Sequence, residues 1–119
     1  MHNVGIDIIE ISRIKKAIAH RGDVFLNRIY TETELRLYRN KPLSLAARFA
    51  GKEAVIKALG AKNKGISWRE IEILSDVSGK PLISLFGKAE KQARALSLHN
   101  LVISLSHSRE YAVAFVCDG

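Results

Sequence analysis

The stretch RFAGKEAVIKALG, residues 48–60, limits what this chain can fold into more than any other. Wound at about 100° per residue, it makes a helix with one half built of Ala47, Ala50, Gly51, Ala54 and Ala58. Side chains this small let a second backbone come close, so that half packs against a neighbour. The other half holds Arg48, Lys52, Glu53 and Lys57, with Phe49 and Ile56 between them. A helix that merely covers a core keeps large apolar residues on one face and charges on the other. Here the charged half is expected to face something that charges can hold.

The elements around this helix follow from local pattern. Val4 to Ile9 is apolar and β-branched apart from Gly5 and Asp7, which predicts a strand. Ser12 is expected to cap a basic helix, RIKKAIAHR, that Gly22 and Asp23 end. FLNRIY follows as a short helical or irregular piece, and TETE matches a capping box, with Thr31 as cap and Glu34 three residues on. That box opens a short helix to about Arg39. Pro42 marks the break before the central helix, Leu43 to Leu59, which Gly60 closes. Ile71 and Ile73 then alternate with glutamates as a half-exposed strand, and SDVSGK turns into a second strand, PLISLF. An amphipathic helix, GKAEKQARALSLH, leads to two paired strands, NLVISLSHS and YAVAFVCD, joined around Arg109 and Glu110. Strand, helices, hairpin, helix, hairpin is an α+β order with an antiparallel sheet. With 119 residues and neither repeat nor linker, one domain over 1–119 is expected.

Composition narrows the function. Cys117 is the only cysteine, which excludes an intrachain disulfide and a cysteine-rich zinc site. The start, MHNVGIDIIEI, has neither a positive leader region nor a cleavage site, and no apolar run reaches membrane-spanning length. A cytoplasmic location with no membrane partner is expected. The net charge of +7 and a pI near 9.8 suit either plain solubility or an anionic partner. Nucleic acid is not the expected one, because the aromatics are few and not interleaved with basic residues. A serine hydrolase is not expected either. In a strand, Ser106 and His107 point to opposite faces, and no acid can be placed behind a Ser108–His107 pair.

Two carboxylates carry the sharper reading. Asp7 sits inside an apolar strand, where it either caps a backbone amide or needs a cation. Glu53 is either a surface partner of Lys57 at i,i+4 or a second oxygen donor. Together, with no thiolate and no histidine cluster, they form a hard-oxygen set of the kind that holds magnesium beside substrate phosphates. Lysine and arginine nearby then hold the remaining phosphate charge.

Four segments, VGIDIIEISRI, RFAGKEAVIKALG, EIEILSDVSGKP and ISLSHSREYAVAFV, occur in the order found in the stand-alone bacterial phosphopantetheinyl transferases, the holo-[acyl-carrier-protein] synthase family. The chain resembles that family over nearly its whole length. The resemblance implies transfer of the phosphopantetheine arm of coenzyme A to a serine of acyl carrier protein, with release of adenosine 3′,5′-bisphosphate. It implies magnesium as cofactor and a place in fatty acid biosynthesis. Asp7 and Glu53 match the family's metal-binding pair, and Lys57 its second helix lysine; these three are the expected catalytic set. Arg48, His107 and Ser108 are expected on the coenzyme's phosphates, with Gly79, Lys80 and Pro81 walling the pantetheine arm. Arg13, Arg21, Phe25 and Arg28 are expected to dock the acidic carrier protein. The resemblance also implies a homotrimer, with the coenzyme between one subunit's metal side and its neighbour's strands, and the small half of the central helix resting on the sheet. It departs at Val24, where some relatives carry a basic residue, and at Gly51, where many carry alanine; the glycine costs about 1 kcal/mol of helix propensity and is expected to change no role.

Overall fold

Strand β1 (Val4–Glu10) runs straight into four helices, α1 (Ile11–Arg21), α2 (Asp23–Ile29), α3 (Glu32–Tyr38) and α4 (Pro42–Ala58). A single 3-10 turn (Trp68–Glu70) leads to strands β2 (Ile71–Ser75) and β3 (Pro81–Leu85), helix α5 (Gly87–Ala95), and strands β4 (Leu101–His107) and β5 (Tyr111–Asp118). The computed structural model describes residues 3–61 and 64–119; the first two residues of the chain start, and Lys62 and Asn63, lie outside it. The α+β order is the expected one, but the strands form two sheets rather than one. β1, β5 and β4 make an antiparallel sheet in that spatial order, while β2 and β3 form a separate hairpin.

Helix α4 lies on the three-stranded sheet through its small half, as the alanine pattern requires. The strand residues beneath it are small too. Gly5 pairs with Val116, Asp7 with Ala114 and Ile9 with Ala112, and Ala50, Ala54, Ala112 and Ala114 are fully buried. The approach is closest at Gly5, where a Cβ would lie 1.9 Å from the Ala54 carbonyl oxygen and 2.8 Å from the Ala58 nitrogen. β1 therefore inverts the usual arrangement of a half-buried strand. Its glycine and aspartate face the helix, while Ile6 and Ile8, 59% and 61% exposed, point away from the core.

One residue of the charged side of α4, Lys52, does not face a cleft, contrary to expectation. The Lys52 side chain is fully buried, and its Nζ donates to Glu34 Oε1 at 2.6 Å, to the Ile71 carbonyl at 2.6 Å and to the Trp68 carbonyl at 3.2 Å. Glu34 accepts in turn from the Thr31 amide at 2.9 Å and the Ile73 amide at 2.8 Å. The Thr31–Glu34 capping box is thus present, and it doubles as the anchor that fixes α3, α4 and β2 together. Burial holds the Lys52 ammonium below the ordinary lysine pKa, against the pull of Glu34.

Three boundaries shift. α1 begins at Ile11, so Ser12 does not cap it; no side chain does, and the Ile11 amide donates to the Glu110 carbonyl at 2.9 Å at the end of the sheet. Residues 25–29 belong to a helix that starts at Asp23, and Tyr30 follows it in extended backbone. Pro42 is the first residue of α4 rather than the break before it, which its fixed φ and missing N–H permit.

Candidate active site

The register of β1 puts Asp7 on the helix side of the sheet, opposite Ala114. The Gly5 contact draws that strand against the last turns of α4, where Lys57 projects. Lys57 Nζ lies 3.0 Å from Asp7 Oδ1 and donates to the Ile6 carbonyl at 3.0 Å. Glu53, one turn earlier on α4, lines the same cavity as Asp7 and Lys57. Forty-six positions apart in sequence, the two carboxylates meet at one site. The cavity holds about 510 Å³, within the range of small-molecule clefts. Phe49 and Ile56 of α4 and Ile14 and Phe25 of the early helices give it apolar walls, and Arg13 and Arg21 add positive charge.

The docking set divides here. Arg13 and Arg21 line this cavity and are exposed. Phe25 lines it too but is buried, with the Arg21 guanidinium 5.4 Å above its ring. It forms part of the cavity wall and supports Arg21. Arg28 is exposed on α2 but is not among the residues lining the cavity. Trp68 stacks on Phe49 at 4.9 Å between centroids, behind the cavity wall.

Of the residues expected on the coenzyme, Lys57 is in this cavity and the others lie elsewhere. Arg48, Gly79, Pro81 and His107 line a second cavity of about 210 Å³, between α4, the β2–β3 turn and the end of β4. His107 is exposed there. Arg48 lines that cavity while bonded within the chain. It is buried, its Nε donates to the Ile73 carbonyl at 2.9 Å, its Nη2 to Ser75 Oγ at 3.0 Å and its Nη1 to the Ser44 carbonyl at 3.4 Å, and it stacks 3.7 Å over the Tyr38 ring. Ser108 is likewise engaged: its Oγ accepts from the Glu110 and Tyr111 amides and closes the β4–β5 turn. Lys80 is exposed beside this cavity, with its amide donating to Asp76. Asp76 takes the Ser78 hydroxyl, the Lys80 amide and the Ser78 amide, which hold its carboxyl below the ordinary value. Those bonds shape the turn that presents Gly79, whose φ of +89° suits glycine.

A model of the 4′-phosphopantetheinyl transferase superfamily matches residues 3–116. The chain belongs to that superfamily. As a member of it, the chain is 54% identical over 112 residues to the holo-[acyl-carrier-protein] synthase of Dehalococcoides mccartyi, covering 94% of this chain and 93% of the relative. The holo-[acyl-carrier-protein] synthase of Helicobacter pylori, solved in complex with coenzyme A, is 34% identical and superposes with a TM-score of 0.84 over 95% of this chain and 96% of that one. The Neisseria meningitidis synthase superposes at 0.87, again with 34% identity, over 98% of this chain and 97% of that one. Among the described residues no helix is long and apolar enough to cross a membrane.

Sequence reasoning missed the Glu34–Lys52 lock. A signal for it existed: Glu34 belongs to a capping box, so its backbone is fixed where a buried lysine can reach it. Nothing in the spacing alone showed that neighbours Lys52 and Glu53 part ways, one into the core and one into the cavity.

Proposed function

We propose that this chain transfers the phosphopantetheine arm of coenzyme A to a serine of acyl carrier protein, releasing adenosine 3′,5′-bisphosphate, and that Asp7, Glu53 and Lys57 carry the reaction. The observation that bears most weight is the convergence of these three side chains on one cavity. The donor set fits magnesium. It offers two hard carboxylates, and the described residues contain no group of three or more His, Cys, Asp or Glu that would close the coordination shell. An octahedral ion that keeps waters and takes phosphate oxygens suits such an open site. Asp7 and Glu53 would hold magnesium, which would supply neutralising charge to the coenzyme's pyrophosphate.

The chain's own residues account for the remaining steps. Attack by the carrier serine on the phosphorus next to pantetheine needs the two held in line. The Glu53 carboxylate takes the serine proton, directly or through one water. The Lys57 ammonium holds phosphate oxygens as the bisphosphate leaves. Arg13 and Arg21, on the rim of the same cavity, meet an acidic carrier surface and orient it over the site. Arg28 extends that surface.

The split of the candidate residues between two cavities supports assembly as a trimer. One subunit offers Asp7, Glu53 and Lys57, and its neighbour offers His107, Lys80 and the Gly79–Pro81 turn to the same coenzyme. In this reading Arg48, which lines the second cavity and is braced by β2, stands with His107 toward the coenzyme's phosphates. The outer face of the three-stranded sheet, with Val4, Ile6, Ile8 and Phe115 all exposed, is the surface such an assembly covers. A role in fatty acid biosynthesis in the cytoplasm completes the reading.

The test is magnesium-dependent turnover of Asp7→Ala and Glu53→Ala. Each is expected to lose activity by at least a hundredfold (~2.7 kcal/mol of transition-state stabilisation), with an unchanged circular dichroism spectrum. Wild-type turnover in either variant at limiting magnesium would remove the metal assignment.

A further inference from the structure

Asp7 is only 17% exposed at its side chain, so its charge needs a counter-ion whenever it is ionised. Lys57 supplies one, with Nζ 3.0 Å from Oδ1. The same ammonium also takes the Ile6 carbonyl at 3.0 Å, so two of its three N–H groups serve β1. Yet the Lys57 side chain is 53% exposed. It sits on a flexible four-carbon stem at the mouth of the cavity, free to turn. One ammonium cannot neutralise Asp7 beside a divalent ion and reach a phosphate through the same two bonds.

We infer that Lys57 is a place-holding counter-ion for Asp7, displaced when a divalent cation arrives and thereby released toward the phosphates. The inference rests on the magnesium reading above. Like charges at the same carboxylate repel, so the ion and the ammonium compete for Asp7. The ion's affinity for the free chain is lowered by that competition. Once coenzyme is present, its phosphates accept the displaced ammonium and the competition ends. Ion and coenzyme then favour each other's binding through the movement of one side chain, a coupling that must be reciprocal.

The experiment titrates manganese, as a paramagnetic probe, into the protein without coenzyme and follows free ion by electron paramagnetic resonance. Wild type, Lys57→Met, Lys57→Arg and Asp7→Asn are compared after a thermal melt confirms each is folded. Lys57→Met is expected to bind manganese roughly tenfold tighter than wild type, the size of removing one positive charge a few ångströms from the ion in a hydrated site. Lys57→Arg keeps the charge and is expected to bind as wild type does, while Asp7→Asn loses the site. If Lys57→Met binds no tighter while Asp7→Asn abolishes binding, the place-holder is overturned and the metal reading stands. Equal tightening in Lys57→Arg would overturn the electrostatic origin of the effect. Manganese binding to Asp7→Asn with wild-type affinity would overturn both readings.

Discussion

Lys52 and Glu53 are adjacent letters with opposite fates, and the difference is geometric. Lys52 lies under α3 and β2, where Glu34 and two carbonyls absorb its charge, while Glu53 is turned toward the cavity. A fully buried ion pair adds little net stability over a well-packed apolar pair, but removing one partner strands the other. The same cluster contains Tyr30, whose hydroxyl donates to the Leu45 carbonyl at 2.7 Å. Burial first, and the Glu34 carboxylate second, push the Tyr30 phenol well above its ordinary range. The sign follows directly. In the unfolded chain the phenol ionises near its ordinary pKa of 10.0, and in the folded chain it stays neutral. The stability it contributes is complete below that pH and is lost as pH rises above it. Tyr30→Phe is expected to cost about 1 kcal/mol at neutral pH for the lost hydrogen bond. The gap in melting temperature between the two proteins should then narrow at alkaline pH. Curves that stay parallel through that range would contradict the assignment. The Lys52 shift runs the other way, since a lysine held low is relieved as pH climbs, but it is common to both proteins and cancels in the comparison.

At the scale of elements, the pairing of α4 with β1 is what makes the site. The alanine-and-glycine half of α4 was readable from its sequence, and so was its need for a close neighbour. The identity of that neighbour was not, because Gly5 and Asp7 look like interruptions of a strand until the strand is placed. Gly5→Ala is expected to cost about 3 kcal/mol, since the new methyl meets backbone atoms that no rotamer change can move. It should also lower transfer activity at temperatures where the protein is still folded, because β1 must back away and take Asp7 with it. Chemical denaturation and a rate measured well below the midpoint check the two effects separately. Gly51 has its own reason, which propensity alone did not supply. A Cβ there would lie 2.5 Å from Ile73 Cδ1 and 3.1 Å from Ile103 Cδ1, so the glycine makes room where both sheets meet the helix. The capping box, the β2–β3 turn and the final hairpin were legible because their signals are local. The division into two sheets was not, since it depends on where β3 and β4 come to lie after α5.

At the scale of the molecule, the chain carries an apolar sheet face that its own core does not use, and two cavities that the proposed trimer would bring to one coenzyme from adjacent subunits. Neither could be read from periodicity, because β1 alternates as any half-buried strand would and only the fold tells which face is inward. If the proposed trimer forms through this face, Phe115→Glu, placed in its middle opposite Ile6 and Ser104, is expected to give monomers in sedimentation velocity and to abolish transfer without lowering helix content. A monomeric wild type, or full activity in a monomeric variant, would contradict the shared-site arrangement. The most direct measurement on the central reading is the intact mass of an apo-acyl carrier protein after incubation with this protein, coenzyme A and magnesium. A gain of one phosphopantetheine group that disappears when magnesium is chelated is the predicted result. A carrier protein of unchanged mass, with folded enzyme and ion present, would contradict it.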